Sequence, residues 1–212
     1  MRKIFLDIGT HNGQTLLLAM KKYPDFDSFI GIEPVKNLVT KSSLSVPDEF
    51  YDRTLIFNVA LDALDVPHKT VTFYEDLTPG NHHLGSSLLA DKTMRKNKKI
   101  EVKCMDVNYF FDTMFNLGDD VTMKIDVEGK EYDIFEALMK SGNLKKYVSK
   151  IFAEWHWNKV PSISQQRHKA LPYVPHRSPV PASPMRKQAG ARTCNSGAET
   201  ARRMQASDRP DP

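Results

Sequence analysis

Short apolar runs alternate with helix-like stretches along the first three quarters of this chain. The run over residues 4–8 is apolar except for Asp7, as expected of a strand buried on both faces, and apolar positions at helical spacing follow over 14–22. Further strands are predicted over 28–32, 55–59, 70–74, 100–104, 121–126 and 150–154, and further helices from Pro34 onward and over 128–141. This alternation predicts an α/β domain with a mostly parallel, Rossmann-like sheet and helices on both faces.

The first strand runs into a glycine turn with the sequence Asp7-Ile8-Gly9-Thr10-His11-Asn12-Gly13. Glycines at such a turn let the backbone approach a ligand, and the helix that follows offers free N–H groups. The G-x-x-x-G spacing lacks the second glycine that admits a dinucleotide pyrophosphate. It fits the D-x-G-x-x-x-G turn of class I methyltransferases, which bind S-adenosylmethionine, but by itself it also fits any strand-to-helix connection.

Glu33 ends the second predicted strand about 20 residues after the glycine turn. An acidic side chain in that place hydrogen-bonds ribose hydroxyls in nucleotide-binding folds. The simpler alternative is a carboxylate favoured by the dipole of the next helix. The order of strand, turn, helix, strand and acid favours a nucleoside-containing cofactor.

Taken together, six segments resemble the successive motifs of the FkbM-type methyltransferases, and the similarity runs from about residue 3 to about residue 168. The segments are Asp7 to Gly13, Gly31-Ile32-Glu33-Pro34, Asn58-Val59-Ala60-Leu61, Ser86-Ser87-Leu88, Lys124-Ile125-Asp126-Val127-Glu128-Gly129 and Phe152-Ala153-Glu154-Trp155-His156. The resemblance implies methyl transfer from S-adenosylmethionine to an oxygen, often a hydroxyl of a sugar or a natural product. On these motifs, the expected cofactor-binding residues are Asp7, Gly9, Thr10, Asn12, Gly13, Glu33, Asn58 and Ala60.

Four side chains near the ends of the last two strands are the candidates for chemistry. Asp126 is the first candidate for the base that removes the acceptor proton, and His156 is the second because its ordinary pKa lies near neutrality. Lys124 lies on the same strand face as Asp126, where it is expected to pair with a carboxylate or to stabilise an alkoxide. Glu154 shares a face with His156, and hydrogen bonding behind the site is an equal alternative for that pair. Glu128 is expected to cap the next helix.

The net charge of +4 is unevenly distributed. Residues 168–212 contain eight basic and three acidic residues, a net +5, which leaves −1 for residues 1–167. A nucleic-acid enzyme is expected to carry a basic stripe on its fold, so a nucleic-acid partner is not expected. No apolar run approaches the length of a membrane span and the chain begins without a signal peptide, so we expect a cytoplasmic protein with no membrane partner. Cys104 is expected to pack in the core.

The chain divides into an expected methyltransferase domain over 1–170 and a tail rich in Pro, Arg and Ser over 171–212. The tail is expected to be disordered or non-native, because its composition buries too little apolar surface, and a natural flexible tail with a docking role is the alternative. The usual edge strands of the fold are then missing, and the exposed strand over 150–154 is expected to promote self-association. The loop over 75–97 is expected to act as a lid, and its His82-His83 pair as solvent-facing residues instead of metal ligands.

The leading hypothesis is an S-adenosylmethionine-dependent O-methyltransferase that acts on a saccharide or other small-molecule acceptor, with no metal ligands assigned. Two alternatives stay open at this point. A nicotinamide-dependent oxidoreductase would need the pyrophosphate glycine that Thr10 to Asn12 do not supply. A catalytically inactive cofactor-binding or assembly module would follow if missing edge strands leave the acceptor pocket incomplete.

Overall fold

The computed structural model describes residues 1–80, 85–92, 97–163 and 165–170. Its strands are β1 (Lys3–Ile8), β2 (Ser28–Ile32), β3 (Thr54–Phe57), β4 (Ala60–Asp62), β5 (His68–Asp76), β6 (Asn97–Asp106), β7 (Asp120–Ile125) and β8 (Val148–Ala153). Its α-helices are α1 (Gln14–Lys22), α2 (Lys36–Leu44), α3 (Val107–Met114), α4 (Glu131–Ser141), α5 (Asn143–Tyr147) and α6 (Gln165–Ala170), and a 3-10 helix spans Asp48–Arg53.

The larger sheet is parallel throughout, in the order β3-β2-β1-β7-β8. The chain moves outward from β1 to β3 on one side and from β7 to β8 on the other, so the order reverses between β1 and β7. In open α/β sheets, ligands bind beyond the carboxyl ends of the strands at such a reversal. This confirms the predicted Rossmann-like fold and places Asp7 and Asp126 at that position.

The two faces of the larger sheet carry separate apolar clusters, as the alternation of side chains along a strand requires. Ile4, Leu6 and Ile8 of β1 pack with side chains of α3 and α4. Phe5, which points to the other face, packs with Leu16 and other side chains of α1. Helices therefore cover both faces of the sheet, as expected from the sequence.

A second, three-stranded sheet in the order β4-β6-β5 was not predicted. The predicted strand over 55–59 ends at Phe57, and the chain enters the second sheet at Ala60. Apolar side chains of this sheet, among them Phe73, Val102 and Cys104, pack against α2. Cys104 is 1% exposed and burial raises the pKa of its thiol to about 12, consistent with the core role expected for it.

Two predicted helix starts are wrong, and in both cases the backbone before the helix explains why. Pro34 does not begin a helix, because α2 begins at Lys36 after an extended Val35 whose N–H is bound by the Glu33 carboxylate. Glu128 does not cap α4, because the left-handed φ values of Glu128 (57°) and Gly129 (119°) delay the helix to Glu131, and its N-cap position is Lys130. The acidic residues in the first turn of α4 are Glu131 and Asp133.

Two predictions fall on residues outside the described ranges. These are the disordered or non-native tail over 171–212 and the solvent-facing His82-His83 pair. Within the described residues, β8 ends the larger sheet and no further strand pairs with its outer edge. No helix in the described part of the chain is long and apolar enough to cross a membrane.

Candidate active site

A cleft with an empty volume of about 660 Å³ opens beyond the carboxyl ends of β1, β2 and β7. The cleft is lined by Ile8, Gly9, His11, Ile32, Glu33, Pro34, Leu38, Ala60, Leu61, Phe73, Ser86, Leu88, Asp126, Val127 and Glu128. We call Gly9, Glu33, Leu38 and Phe73 the Glu33 side of this region, and Asp126, Glu128, Glu131 and His156 the His156 side.

Gly9 lies where the turns after β1 and β7 come closest. Its φ is 85°, and a Cβ atom on it would lie 1.9 Å from the Asp126 carbonyl oxygen. Its N–H donates to the Ile32 carbonyl at 3.0 Å, which ties the turn to the end of β2 as well. A glycine is therefore required here by the protein itself, and its bare backbone lines the cleft.

Only three of the eight predicted cofactor-binding residues line the cleft: Gly9, Glu33 and Ala60. The other five, which are Asp7, Thr10, Asn12, Gly13 and Asn58, do not. Two of these five support the turns that form the cleft. The Thr10 hydroxyl donates to the Asp7 carbonyl at 2.8 Å and accepts from the Ile32 N–H at 3.1 Å. The Asn58 amide donates to the Glu33 and Pro34 carbonyls at 3.1 and 2.8 Å.

Glu33 is 5% exposed and is held by two backbone N–H groups. One carboxylate oxygen accepts from Val35 at 2.8 Å and the other from His11 at 3.0 Å. Burial raises the pKa of Glu33 to about 7, and the two N–H groups offset only part of that effect. Each carboxylate oxygen keeps a second lone pair, so Glu33 is able to accept hydrogen bonds from the hydroxyls of a ligand.

An apolar wall beside Glu33 was missed in the sequence. It is formed by Leu38 of α2, Phe73 of β5 and Leu88. Phe73 reaches the cleft through the unpredicted second sheet. Alternating apolar positions in β5 signal a half-buried strand, but they do not indicate which surface that strand faces. An apolar slot next to a buried carboxylate suits a flat base attached to a ribose.

Lys124 joins β1 to β7 at the base of the cleft. Its ammonium donates to the Gly9 carbonyl at 2.9 Å and lies 3.2 Å from Asp7 Oδ1 and 3.3 Å from Asp126 Oδ2. Burial by itself would lower the pKa of Lys124, but the two carboxylates outweigh it and the pKa is raised. The predicted pairing of Lys124 with a carboxylate is thus present, and the charged ammonium is engaged by the protein.

Asp7 is fully buried and depends on Lys124 for its charge balance. Neither carboxylate oxygen of Asp7 has a well-oriented hydrogen-bond donor in the described residues, although the Lys124 ammonium lies 3.2 Å from Oδ1. Burial raises the pKa of Asp7, and Lys124 counteracts only part of the increase. Asp7 therefore contributes to the base of the site and not to its surface.

His156 is 1% exposed and lies among four carboxylates. Its Nδ1 is 2.8 Å from Glu131 Oε1, and its Nε2 is 3.2 Å from Glu154, 3.5 Å from Glu128 and 3.8 Å from Asp126. Burial acts to lower the pKa of His156, but the carboxylates outweigh burial and raise it. The structure therefore brings together three of the four predicted catalytic side chains here, with Lys124 bound to Asp126.

Residues 85–92 attach directly to the turn that carries Glu128. The Lys92 ammonium pairs with the Glu128 carboxylate and donates to the Gly85 carbonyl at 2.6 Å, and the Ser87 hydroxyl donates to the Glu128 carbonyl at 2.7 Å. Residues 85–92 are one described part of the predicted lid over 75–97. No sequence motif indicated Lys92, because its contact with Glu128 joins residues 36 positions apart.

Three side chains on the His156 side are close enough together to hold a cation. One ligand atom from each of Asp126, Glu128 and His156 lies within 4.8 Å of the others. Each of these groups already has a protein partner, since Lys124 pairs with Asp126, Lys92 with Glu128 and Glu154 with His156. The expectation that the protein has no metal ligands stays a prediction, which titration with Mg²⁺ and Mn²⁺ would test.

Comparison with known proteins gives one match. A family model described as Methyltransferase FkbM domain matches residues 7–177, which is most of the chain and includes the whole cleft. No curated protein and no solved structure gives a significant match.

Proposed function

Since the chain belongs to the FkbM methyltransferase family, we propose that it transfers a methyl group from S-adenosylmethionine to a hydroxyl oxygen of a sugar or small natural product. The observation that carries the oxygen specificity is Asp126. Its carboxylate lines the cleft, its side chain is 29% exposed, and it lies next to the part of the cleft suited to a nucleoside. A hydroxyl needs a proton acceptor at this place, which a carboxylate supplies.

The Glu33 side of the cleft fits the cofactor that the family implies. Glu33 can accept hydrogen bonds from ribose hydroxyls. The ring of the attached base can contact the apolar wall formed by Leu38, Phe73 and Leu88. The bare backbone at Gly9 leaves room for the rest of the molecule. When bound, S-adenosylmethionine supplies a methyl group activated by a sulfonium.

On the other side, Asp126 orients the acceptor hydroxyl and takes its proton. Lys124 holds the Asp126 carboxylate in place through its contact at 3.3 Å, so that the carboxylate is positioned to accept the proton. The surrounding carboxylates outweigh burial and raise the pKa of His156, which favours Asp126 over His156 as the base. Holding the acceptor oxygen in line with the methyl group contributes the remaining rate enhancement.

The direct test uses the full chain with S-adenosylmethionine labelled in its methyl group. The protein is incubated with a panel of glycosides and hydroxylated small natural products, and products are analysed by mass spectrometry with fragmentation. We expect label on a hydroxyl oxygen together with S-adenosylhomocysteine. Label on nitrogen or carbon would overturn the oxygen specificity.

Calorimetric titration with S-adenosylmethionine and with NAD separates the remaining alternatives. We expect binding of the first and none of the second, since the G-x-x-x-G turn lacks the pyrophosphate glycine. Binding without turnover on any acceptor would support an inactive cofactor-binding module instead of an enzyme.

A further inference from the structure

Glu131 is a fully buried carboxylate whose contacts all lie outside its own helix. Its oxygens accept from the Val127 N–H at 3.0 Å and from the Gly129 N–H at 2.9 and 3.1 Å. One of them also lies 2.8 Å from Nδ1 of His156. A single side chain therefore contacts both the turn after β7 and the histidine after β8.

The turn that Glu131 binds has a backbone that needs support. Its residue Glu128 has φ 57°, a left-handed conformation that non-glycine residues adopt at a cost of about 1 kcal/mol or more. Glu131 accepts hydrogen bonds from the N–H groups of Val127 and Gly129, the two residues that flank Glu128. The turn presents the Asp126 and Glu128 carboxylates to the cleft, so their placement depends on Glu131.

The same carboxylate determines which way the His156 ring faces. With Glu131 accepting from Nδ1–H, Nε2 is directed to the carboxylates of Asp126, Glu128 and Glu154. We propose that Glu131 is the positioning residue of the His156 side: it fixes the turn that carries Asp126 and Glu128 and, at the same time, the orientation and proton position of His156.

The charges that face His156 support this role. The acidic groups are Glu131, Glu128, Asp126 and Glu154, and the nearby cations bind these carboxylates: Lys92 pairs with Glu128, Lys124 with Asp126, and Lys159 lies 3.9 Å from Glu154. Glu131 differs from the other three in having no lysine or arginine partner among the described residues. Its partners are His156 and the N–H groups of Val127 and Gly129, and the surrounding carboxylates raise the pKa of His156.

For the reaction, this inference rests on the proposed function. Nε2 of His156 lies 3.8 Å from the Asp126 carboxylate, where its orientation affects the environment of the proton acceptor. The geometry of the turn and the protonation of His156 are, however, properties of the protein without cofactor or acceptor. They can be measured whether or not the proposed function is correct.

The test is an NMR titration of the His156 imidazole in the full chain, with its signal assigned through His156→Gln. We expect a pKa above 6.5 in the wild type and a decrease of about one unit, or tenfold in proton affinity, in Glu131→Gln. Hydrogen exchange at the Val127 and Gly129 amides is expected to become at least about tenfold faster in the same variant, because the neutral amide accepts less strongly.

Glu136→Gln is the matched control. Glu136 lies on the same helix and pairs with Arg167 at 3.0 Å, so the substitution removes the same charge away from His156. We expect its His156 titration and amide exchange to resemble the wild type. An unchanged His156 pKa and unchanged exchange in folded Glu131→Gln would overturn the proposal. Equal effects in both variants would also overturn it, because the loss of one negative charge would then explain them.

Once an acceptor is known, the pH profile of kcat supplies a second readout. If the protonated His156 supports the reaction, kcat declines at higher pH as His156 loses its proton. In Glu131→Gln, this decline in kcat is expected to shift to lower pH by the same interval as the NMR titration. A lower kcat with an unshifted profile would leave Glu131 a structural role only and overturn the electrostatic part. Failure to find any acceptor would count against the proposed function and leave the NMR result intact.

Discussion

The two sides of the cleft hold their carboxylates by different means. On the Glu33 side, the carboxylate is bound by backbone N–H groups of Val35 and His11, and its pKa is raised to about 7. On the His156 side, Asp126 and Glu128 are each paired with a lysine, and Glu131 with a histidine. The first arrangement uses backbone N–H groups, and the second uses the side chains of lysines and a histidine.

This difference suits the two parts of the proposed reaction. A carboxylate held by neutral donors can recognise hydroxyls while it keeps much of its proton affinity, whereas lysine partners hold the carboxylates of the His156 side in position. In the proposed function, the Glu33 side serves recognition and the His156 side serves chemistry. Substitutions that affect one side and not the other test this comparison.

The largest expected effect is at Gly9, where the two sides touch. In Gly9→Ala, the new Cβ overlaps the Asp126 carbonyl oxygen and the residue is also strained at φ 85°. We expect a loss of about 4 kcal/mol or more in the free energy of unfolding, from strain and overpacking together, and loss of S-adenosylmethionine binding. Urea unfolding and calorimetry measure the two effects.

Gly118→Ala is the matched control for Gly9. Gly118 has φ 95°, and a Cβ on it would meet no described atom within 4 Å, so only conformational strain remains. We expect a loss of about 1 kcal/mol there. Equal losses of unfolding free energy at Gly9 and Gly118 would show that the turns after β1 and β7 are farther apart than in this structure.

The next effect is the dependence of stability on pH through Glu33. The native protein binds this proton more tightly than the unfolded chain, with a pKa of about 7 against an ordinary 4.5, so the free energy of unfolding falls as pH rises through that interval. Relative to Glu33→Gln, the wild type is expected to lose up to about 3 kcal/mol between pH 4 and pH 8. Urea unfolding at several pH values measures this.

Glu49→Gln is the control for this pH series, because Glu49 is exposed on the 3-10 helix. Its curve is expected to run parallel to that of the wild type. If the curve of Glu33→Gln also ran parallel to that of the wild type, the pKa of Glu33 would not be raised in the native protein. The proposed difference between the two sides of the cleft would then be wrong for the Glu33 side.

Sequence alone identified much of the Glu33 side, because its key features are local. Gly9 and Glu33 each end an apolar strand, and the positions of both at the carboxyl ends of neighbouring parallel strands follow from the α/β pattern. Phe73 was missed because its strand belongs to a second sheet, and no local pattern shows on which surface a separate sheet packs. Pro34 was misplaced because the Glu33 carboxylate competes for the N–H of Val35.

The His156 side was predicted less completely for a physical reason. Asp126, Glu154 and His156 follow strands and were identified, but their partners come from elsewhere. Glu131 and His156 are 25 positions apart, and Lys92 and Glu128 are 36 apart. Such contacts depend on how elements pack, which the spacing of residues along one strand or helix does not encode. The predicted roles of the individual residues stay predictions.

Asp126→Asn tests the His156 side through chemistry. If Asp126 accepts the acceptor proton, the variant is expected to lose about 100-fold or more in kcat, while affinity for S-adenosylmethionine stays within a few fold. Asp112→Asn, which alters an exposed residue of α3, is expected to leave both unchanged. Turnover is measured with the acceptor found in the product screen. Unchanged turnover in Asp126→Asn would move the role to His156 or Glu154, or leave positioning as the main contribution.

The smallest expected effect concerns residues 85–92, which touch both sides of the cleft. Ser86 and Leu88 line the cleft, whereas the buried Ser87 hydroxyl donates to the Glu128 carbonyl and accepts from the Leu89 N–H at 3.1 Å. Ser87→Ala leaves both groups without this partner, and we expect a loss of about 1 kcal/mol in the free energy of unfolding and faster hydrogen exchange at Leu89. Ser43→Ala, which alters an exposed hydroxyl on α2, is expected to change stability by less than about 0.5 kcal/mol. If Ser87→Ala also weakened S-adenosylmethionine binding tenfold, residues 85–92 would serve the Glu33 side as much as the His156 side, and the division between recognition and chemistry would need to be redrawn around them.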